Sequence, residues 1–269
     1  MTHIVTKSYV STVRRRRARR MAVVRRVLPW ALGAGTIGCQ IAYPLVEGEA
    51  RTALTIATVL GFFAASVTHA WFTRGAGWAV GLVVITAGGG FVAEAVGVRS
   101  GVPFGDYSYG DSLGWQLAGV PVIIPLAWAM MAYPALVIAR RLTRRFVPIV
   151  AGVALAAWDL FLDPQMVSAG HWSWQDQTPA LPGVPGIPLT NYLGWLAVAL
   201  VMMTVLHLAL PRRPAADDRL PALLYLWTYA SQVLANAVFF DRPAVALWGG
   251  IGMGLVVVPY LYVLWRDRP

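Results

Sequence analysis

Cysteine occurs once, as Cys39, which excludes a disulfide framework and a cysteine metal site. Charge is also scarce: 13% of the 269 residues are charged, and only 12 are acidic. No segment reads G-x-x-x-x-G-K-[ST], G-x-S-x-G or H-E-x-x-H, and no dinucleotide fingerprint follows a strand. These absences remove the P-loop, nucleophile-elbow, zincin and Rossmann classes. Two lone histidines, His69 and His207, fall near the inner ends of two apolar runs and read as interhelical hydrogen bonders rather than as haem ligands.

What fills the chain instead is apolar: 58% hydrophobic residues and a mean hydropathy of +0.60. A soluble domain of this size could not bury so much apolar surface. The apolar runs are near 27–46, 52–72, 77–97, 118–139, 146–163, 190–210, 220–240 and 244–265. Helices of about 20 residues cross roughly 30 Å of hydrocarbon. The expected fold is therefore an all-α integral membrane bundle of about eight transmembrane helices. The fifth run is the shortest, so a seven-span reading stays open. Residues 1–26 read as a basic cytoplasmic tail and 27–269 as one transmembrane domain. The first run is long for an export signal and lacks a cleavage site, so it reads as an uncleaved helix.

The net charge of +10 is not a nucleic-acid signal, because its placement follows the membrane. With eight spans and a cytoplasmic N-terminus, the inner segments hold Lys7 and eighteen arginines. The outer segments hold only Arg51, Arg99 and Arg242. This positive-inside pattern places both termini in the cytoplasm of a multi-pass cell-membrane protein. The basic tail reads as a topology determinant resting on anionic headgroups.

Two stretches share an unusual spacing. Glu94 is followed fourteen positions later by Ser108, between Tyr107 and Tyr109; Asp159 is followed fourteen positions later by Ser173, between Trp172 and Trp174. Gly105 aligns with Gly170 and Asp106 with His171, and Gly119-Val120-Pro121 echoes Gly183-Val184-Pro185. The pattern predicts an internal helix-loop-helix duplication over 85–139 and 150–210, about an axis near the membrane normal. Each copy places a carboxylate near the end of its first helix. A carboxylate inside a membrane helix is costly and marks a site by default. Asp163 follows Asp159 by one helical turn on the same face, and Pro164 is expected to end that helix. A magnesium-dependent prenyltransferase would need two aspartate-rich sites facing one cavity. The other acidic pair, Asp217-Asp218, is predicted on the opposite side of the membrane.

The two long outer loops, near 98–117 and 164–189, are rich in Gly, Pro and aromatics and are expected to fold back over the membrane face as a lid. Tyr107, Tyr109, Trp115, Trp172 and Trp174 read either as interfacial anchors or as cavity walls whose π faces stabilise a cation. Asn191 reads as a helix N-cap, and Gln232 and Asn236 as interhelical glue. Gly88-Gly89-Gly90 permits close packing within a helix.

Several segments resemble the multi-pass carotenoid biosynthesis proteins, a family that includes gamma-carotene and bisanhydrobacterioruberin hydratases. They are Glu94, Phe104-Gly105-Asp106-Tyr107-Ser108-Tyr109, Pro121 and Pro125 before Trp128, and Asp159-Leu160-Phe161-Leu162-Asp163-Pro164. His171-Trp172-Ser173-Trp174 and Gly183-Val184-Pro185 through Asn191-Tyr192-Leu193-Gly194-Trp195 complete the set. The resemblance covers roughly 85–200. It implies cofactor-independent addition of water to the terminal double bond of an acyclic carotenoid, with no metal and no nucleotide. Our own assignment of roles makes Asp159 and Glu94 the proton donor and base, in open order, with Asp163 and Asp106 second. Tyr107, Tyr109, Trp128, Trp172, Trp174, Asn191 and Trp195 would bind substrate. The partners implied are a hydrophobic carotenoid, the bilayer and other carotenoid-pathway enzymes. The alternatives are another end-group reaction such as cyclisation, a small proton-coupled transporter, or a structural partner in a pigment complex.

Overall fold

A computed structural model describes residues 2–213 and 217–267, with side chains from residue 20 onward. The basic side chains of Lys7, Arg14–Arg17, Arg19 and Arg268, counted above, lie outside the described residues. Eight helices follow the eight apolar runs. They are α1 (Thr2–Ala42), α2 (Gly48–Arg74), α3 (Ala76–Ser100), α4 (Ile123–Leu142), α5 (Val147–Ser168), α6 (Leu189–Ala209), α7 (Arg219–Phe239) and α8 (Pro243–Arg266). Among the described residues, seven helices, α2 through α8, are long and apolar enough to cross a membrane. In α1 the apolar stretch occupies the C-terminal half, ending in a 3₁₀ turn over Tyr43–Leu45. The result is an all-α membrane bundle.

α4 is the central helix. Every residue from Ala127 to Ala139 is buried, so its sequence is apolar around the whole circumference. α2, α5 and α7 pack against it, α1 leans on α2, and α6 and α8 cover α5. A π-helical turn interrupts α3 at Val84–Gly88 and another interrupts α7 at Ala235–Phe239. Each inserts an extra residue and rotates the helix face that follows. In α3 that face brings Gly90 against α4. A Cβ on Gly90 would come within 2.7 Å of the Trp128 ring, so the glycine is what lets the indole lie on the helix backbone.

Two element boundaries depart from the sequence reading. α5 does not stop at Pro164 but continues to Ser168. Proline forfeits one ladder hydrogen bond, yet its φ is compatible with a helix, and the next turn closes through Ala169 N–H donating to the Gln165 carbonyl at 3.1 Å. Residues 118–122, read as the start of a span, belong to a hairpin instead. Strands β2 (Gln116–Leu117) and β3 (Val120–Pro121) pair across Ala118 and Gly119, both at positive φ (55° and 85°). That is the geometry of a tight two-residue hairpin.

The two outer loops are joined to each other. Strand β1 (Tyr107–Tyr109) pairs antiparallel with β4 (Trp172–Trp174), with Ser108 opposite Ser173. Gly110 N–H donates to the His171 carbonyl at 2.8 Å, and Gln175 N–H donates to the Asp106 carbonyl at 2.9 Å. A shift of 65 residues converts one bond into the other, as a local two-fold axis between the two serines requires. Each loop then carries its own hairpin, β2–β3 in one and β5 (Ala180–Leu181) with β6 (Val184–Pro188) in the other.

The arginine-rich end of the bundle is tied separately. Arg74 is buried, pairs with Asp218 at 2.6 Å, and stands over the rings of Trp78 and Tyr133 at 5.3 and 5.0 Å. His69 donates through Nε2 to the Asp217 carbonyl at 2.9 Å and accepts through Nδ1 from the Tyr133 hydroxyl at 2.7 Å. Both ring nitrogens are thus engaged in holding helices together.

Candidate functional site

The aromatic-Ser-aromatic repeat has a simple geometric origin. Strand residues alternate faces, so Ser108 and Ser173 are exposed while Tyr107, Trp172 and Trp174 are buried beneath the ribbon. Tyr107 stacks on Trp174 at 5.7 Å, and Tyr109 meets Trp172 edge-on at 5.5 Å. These two pairs are related by the same local two-fold axis.

Beneath the ribbon lies Glu94, from α3, only 4% exposed. Its Oε2 accepts from the hydroxyls of Tyr107 at 2.5 Å and Tyr109 at 2.8 Å, and its Oε1 accepts from Trp128 Nε1 at 2.9 Å. Burial, and then the charge of Glu94, pushes both phenols far above their usual range, so they stay donors. Three donors converging on one carboxyl group match the acceptor-only inventory of a carboxylate.

The second acidic group is built differently. Asp159 and Asp163 lie one turn apart on α5, 0% and 2% exposed. Asn191 Nδ2, from the first turn of α6, donates to Asp159 Oδ2 at 3.0 Å and also to Asp163 Oδ2. Trp172 Nε1 donates to Asp163 Oδ1 at 3.2 Å. Asp159 Oδ1 is buried with no partner among the described residues. Asn191 is therefore not the N-cap that its position suggested; Pro188 occupies that position, and the amide is spent on the two aspartates.

Both acidic groups border one cavity of about 120 Å³ that opens to the outside. Of the residues singled out in the sequence, Glu94, Asp163, Tyr107, Tyr109, Trp128, Trp172, Trp174, Asn191 and Trp195 line it. Asp159 lies behind Asp163 and has no place on the wall. Asp106 is exposed on the loop, away from the others. Its aligned counterpart His171 is buried, with Nδ1 at 2.7 Å from the Ser112 hydroxyl, and burial lowers its pKa. Trp115, 69% exposed, is not a wall residue.

The cavity floor is aromatic. Trp128 and Trp195 stack at 3.8 Å and 11°, Trp158 meets Trp195 edge-on at 6.1 Å, and Phe104 packs against both stacked indoles. Among the described residues, no Lys or Arg side chain lines the cavity. The walls also extend beyond α3–α6 to α1, α2 and α7, through residues such as Gln40, Thr58 and Gln232. The sequence reading missed Gln40, Thr58 and Trp158, and took Gln232 as interhelical glue without placing it on the wall. The available signal was the isolated amide or hydroxyl within an apolar run.

The profile of the carotenoid biosynthesis protein family matches residues 54–259. The bisanhydrobacterioruberin hydratase of Haloarcula japonica is 30% identical over 193 residues, 65% of this chain. The match spans 59% of that relative's length. No solved structure matches the chain. The chain belongs to the carotenoid biosynthesis protein family.

Proposed function

Starting from that family membership, we propose that the chain is a carotenoid hydratase acting on an acyclic end group. The observation that carries the reading is the pairing of two unlike carboxyl groups with an aromatic, cation-free cavity. The hydratase name of the relative from Haloarcula japonica supports the same reaction class.

The chemistry proceeds as follows. The π pair of a trisubstituted terminal alkene takes a proton at its less substituted carbon, leaving a tertiary carbocation. The Asp159–Asp163 pair has few donors around it and an unpartnered oxygen, so a shared proton completes its hydrogen bonding. Asp163, on the wall, delivers that proton; Asp159, behind it, shares it in the resting pair. The stacked Trp128 and Trp195 offer π faces to the cation. Water adds to the tertiary carbon, and its surplus proton passes to Glu94, whose charge is held by three donors. The apolar walls admit the polyene and keep bulk water from the cation.

Expression in cells that accumulate lycopene or another acyclic-ended carotenoid tests the reading. Mass spectrometry should find a product heavier by one water, carrying ¹⁸O when the cells grow in labelled water. An isomer of unchanged mass would replace hydration by cyclisation. Pigment moved across the membrane without chemical change would replace it by transport.

A further inference from the structure

We infer that the cavity contains a hydroxyl-binding subsite formed by Gln40 of α1 and Thr58 of α2, separate from the carboxyl groups. The inference rests on the reading that the cavity receives a carotenoid end group. Gln40 and Thr58 both line the cavity. Gln40 Oε1 and Thr58 Oγ1 are each buried, and neither has a hydrogen-bond partner among the described residues. A buried polar atom without a partner is costly, and few are left so without reason.

Thr58 is informative because a helical threonine has a local alternative. Its hydroxyl can turn back to the carbonyl four residues earlier. Thr55, one turn away and also on the cavity wall, does so to the Arg51 carbonyl at 3.1 Å. Thr36 of α1 does so to Leu32 at 2.9 Å, and Thr68 of α2 to Ala64 at 2.6 Å. Thr58 leaves that bond unmade and keeps its hydroxyl available.

The packing of α1 on α2 brings the two side chains level. The helices run antiparallel, and Gly61 meets Thr36 so closely that a Cβ would come within 2.8 Å of the threonine hydroxyl. One turn onward on α1 is Gln40; one turn back on α2 is Thr58. An amide chain also crosses from α7 to α5 at this cavity. Asn236 Nδ2 donates to Gln232 Oε1 at 3.3 Å, and Gln232 Nε2 donates to Gln165 Oε1 at 3.0 Å. Both glutamines line the same cavity, and Gln165 follows Asp163 by two residues on α5.

The donor and acceptor inventory fixes the ligand class. Gln40 Oε1 only accepts, whereas Thr58 Oγ1 both accepts and donates. One neutral O–H group satisfies both atoms by donating to the amide and accepting from the hydroxyl. A hydrocarbon satisfies neither. The hydroxyl has two sources, a water molecule or the alcohol of a hydrated end group.

The test compares binding of an acyclic carotene and its tertiary alcohol to the purified full chain in detergent, by quenching of tryptophan fluorescence. It uses an Asp163→Asn background so that the two pigments do not interconvert. If the ligand hydroxyl is held, the alcohol binds roughly tenfold more tightly, the worth of about one hydrogen bond. Gln40→Leu or Thr58→Val then removes that preference, Thr58→Ser keeps it, and carotene affinity does not move. If water is held instead, the two pigments bind alike. With Asp163 restored, hydration slows about tenfold in Gln40→Leu and Thr58→Val, at unchanged carotene affinity. Variants that leave both the preference and the rate unchanged overturn the subsite while the hydratase reading stands. A folded protein that binds neither pigment overturns the hydratase reading, and the subsite with it.

Discussion

Ser108 stands directly opposite Ser173 at the centre of an antiparallel ribbon, and each is fourteen residues beyond a buried carboxyl group, Glu94 and Asp159. The equal spacings and the pairing are one fact. A local two-fold axis relates the two strands of the ribbon, which ties together the loops that follow the two carboxyl-bearing helices. The surroundings of the two carboxyl groups have nevertheless diverged. Glu94 collects three donors, whereas Asp159 shares a single amide with Asp163. In the mechanism we propose, this asymmetry suits one group to act as the acid and the other as the base.

Asp163→Asn keeps the shape of the side chain and cannot deliver a proton. Water addition should fall by about two to four orders of magnitude, the usual worth of a general acid, with pigment binding retained. Asp159→Asn should lose activity as well, because Asp163 then has no carboxyl partner with which to share its proton. Asp106→Asn, on an exposed loop, should hydrate at close to the wild-type rate. Wild-type product yields from both Asp163→Asn and Glu94→Gln would remove the carboxyl groups from the mechanism.

Tyr109→Phe takes one donor from a buried carboxylate. Hydrogen bonds to charged groups contribute about 1.5–3 kcal/mol, so thermal unfolding in detergent should begin earlier by that measure. In Glu94→Gln the same Tyr109→Phe change should cost markedly less. Equal costs in the two backgrounds would show that the pair is not coupled.

Gly90→Ala should force the Trp128 ring away from α3, since its Cβ would come within 2.7 Å of the indole. Overpacking of this kind costs about 1–3 kcal/mol, and the displaced ring leaves both Glu94 and the Trp195 stack. Gly89→Ala is the control, because its Cβ meets nothing nearer than Met202 at 3.9 Å. Similar stability and activity in the two variants would contradict the packing described for α3 against α4.

Reporter fusions after residues 115 and 180 should signal the outer side, and fusions after 143 and 215 the cytoplasm. The grounds are the arginines gathered at one end of the bundle and the pairing of the two loops. An inner signal at only one of 115 and 180 would be incompatible with the ribbon.

The helices were legible because a span announces itself by composition alone, and all eight apolar runs became helices. The duplicated spacing likewise pointed to Glu94 and Asp159. What could not be read was which residues the third dimension adds. Gln40, Thr58 and Gln232 are isolated polar residues far apart in the chain, and only the packing of α1, α2 and α7 gathers them at one cavity. Asp163 reaches the wall ahead of Asp159 because of the direction α5 presents to the cavity, which depth in the apolar run does not reveal. Pro164 was over-read as a terminator, since a proline in a membrane helix costs one hydrogen bond rather than the helix.

The central partners in the ribbon, Ser108 and Ser173, are 65 residues apart, with the β2–β3 hairpin, α4 and α5 between the strands. Contacts of such separation form only after the intervening chain is in place. During synthesis, Tyr107 and Tyr109 therefore reach the membrane surface long before Trp172 and Trp174 exist to receive them. Until then Glu94 has only the residues of its own loop and of α4 to cover it. The cover over the cavity is accordingly a late event in biogenesis, and a chain arrested before Trp174 emerges would present an open, hydrated trough where the finished protein has a roof.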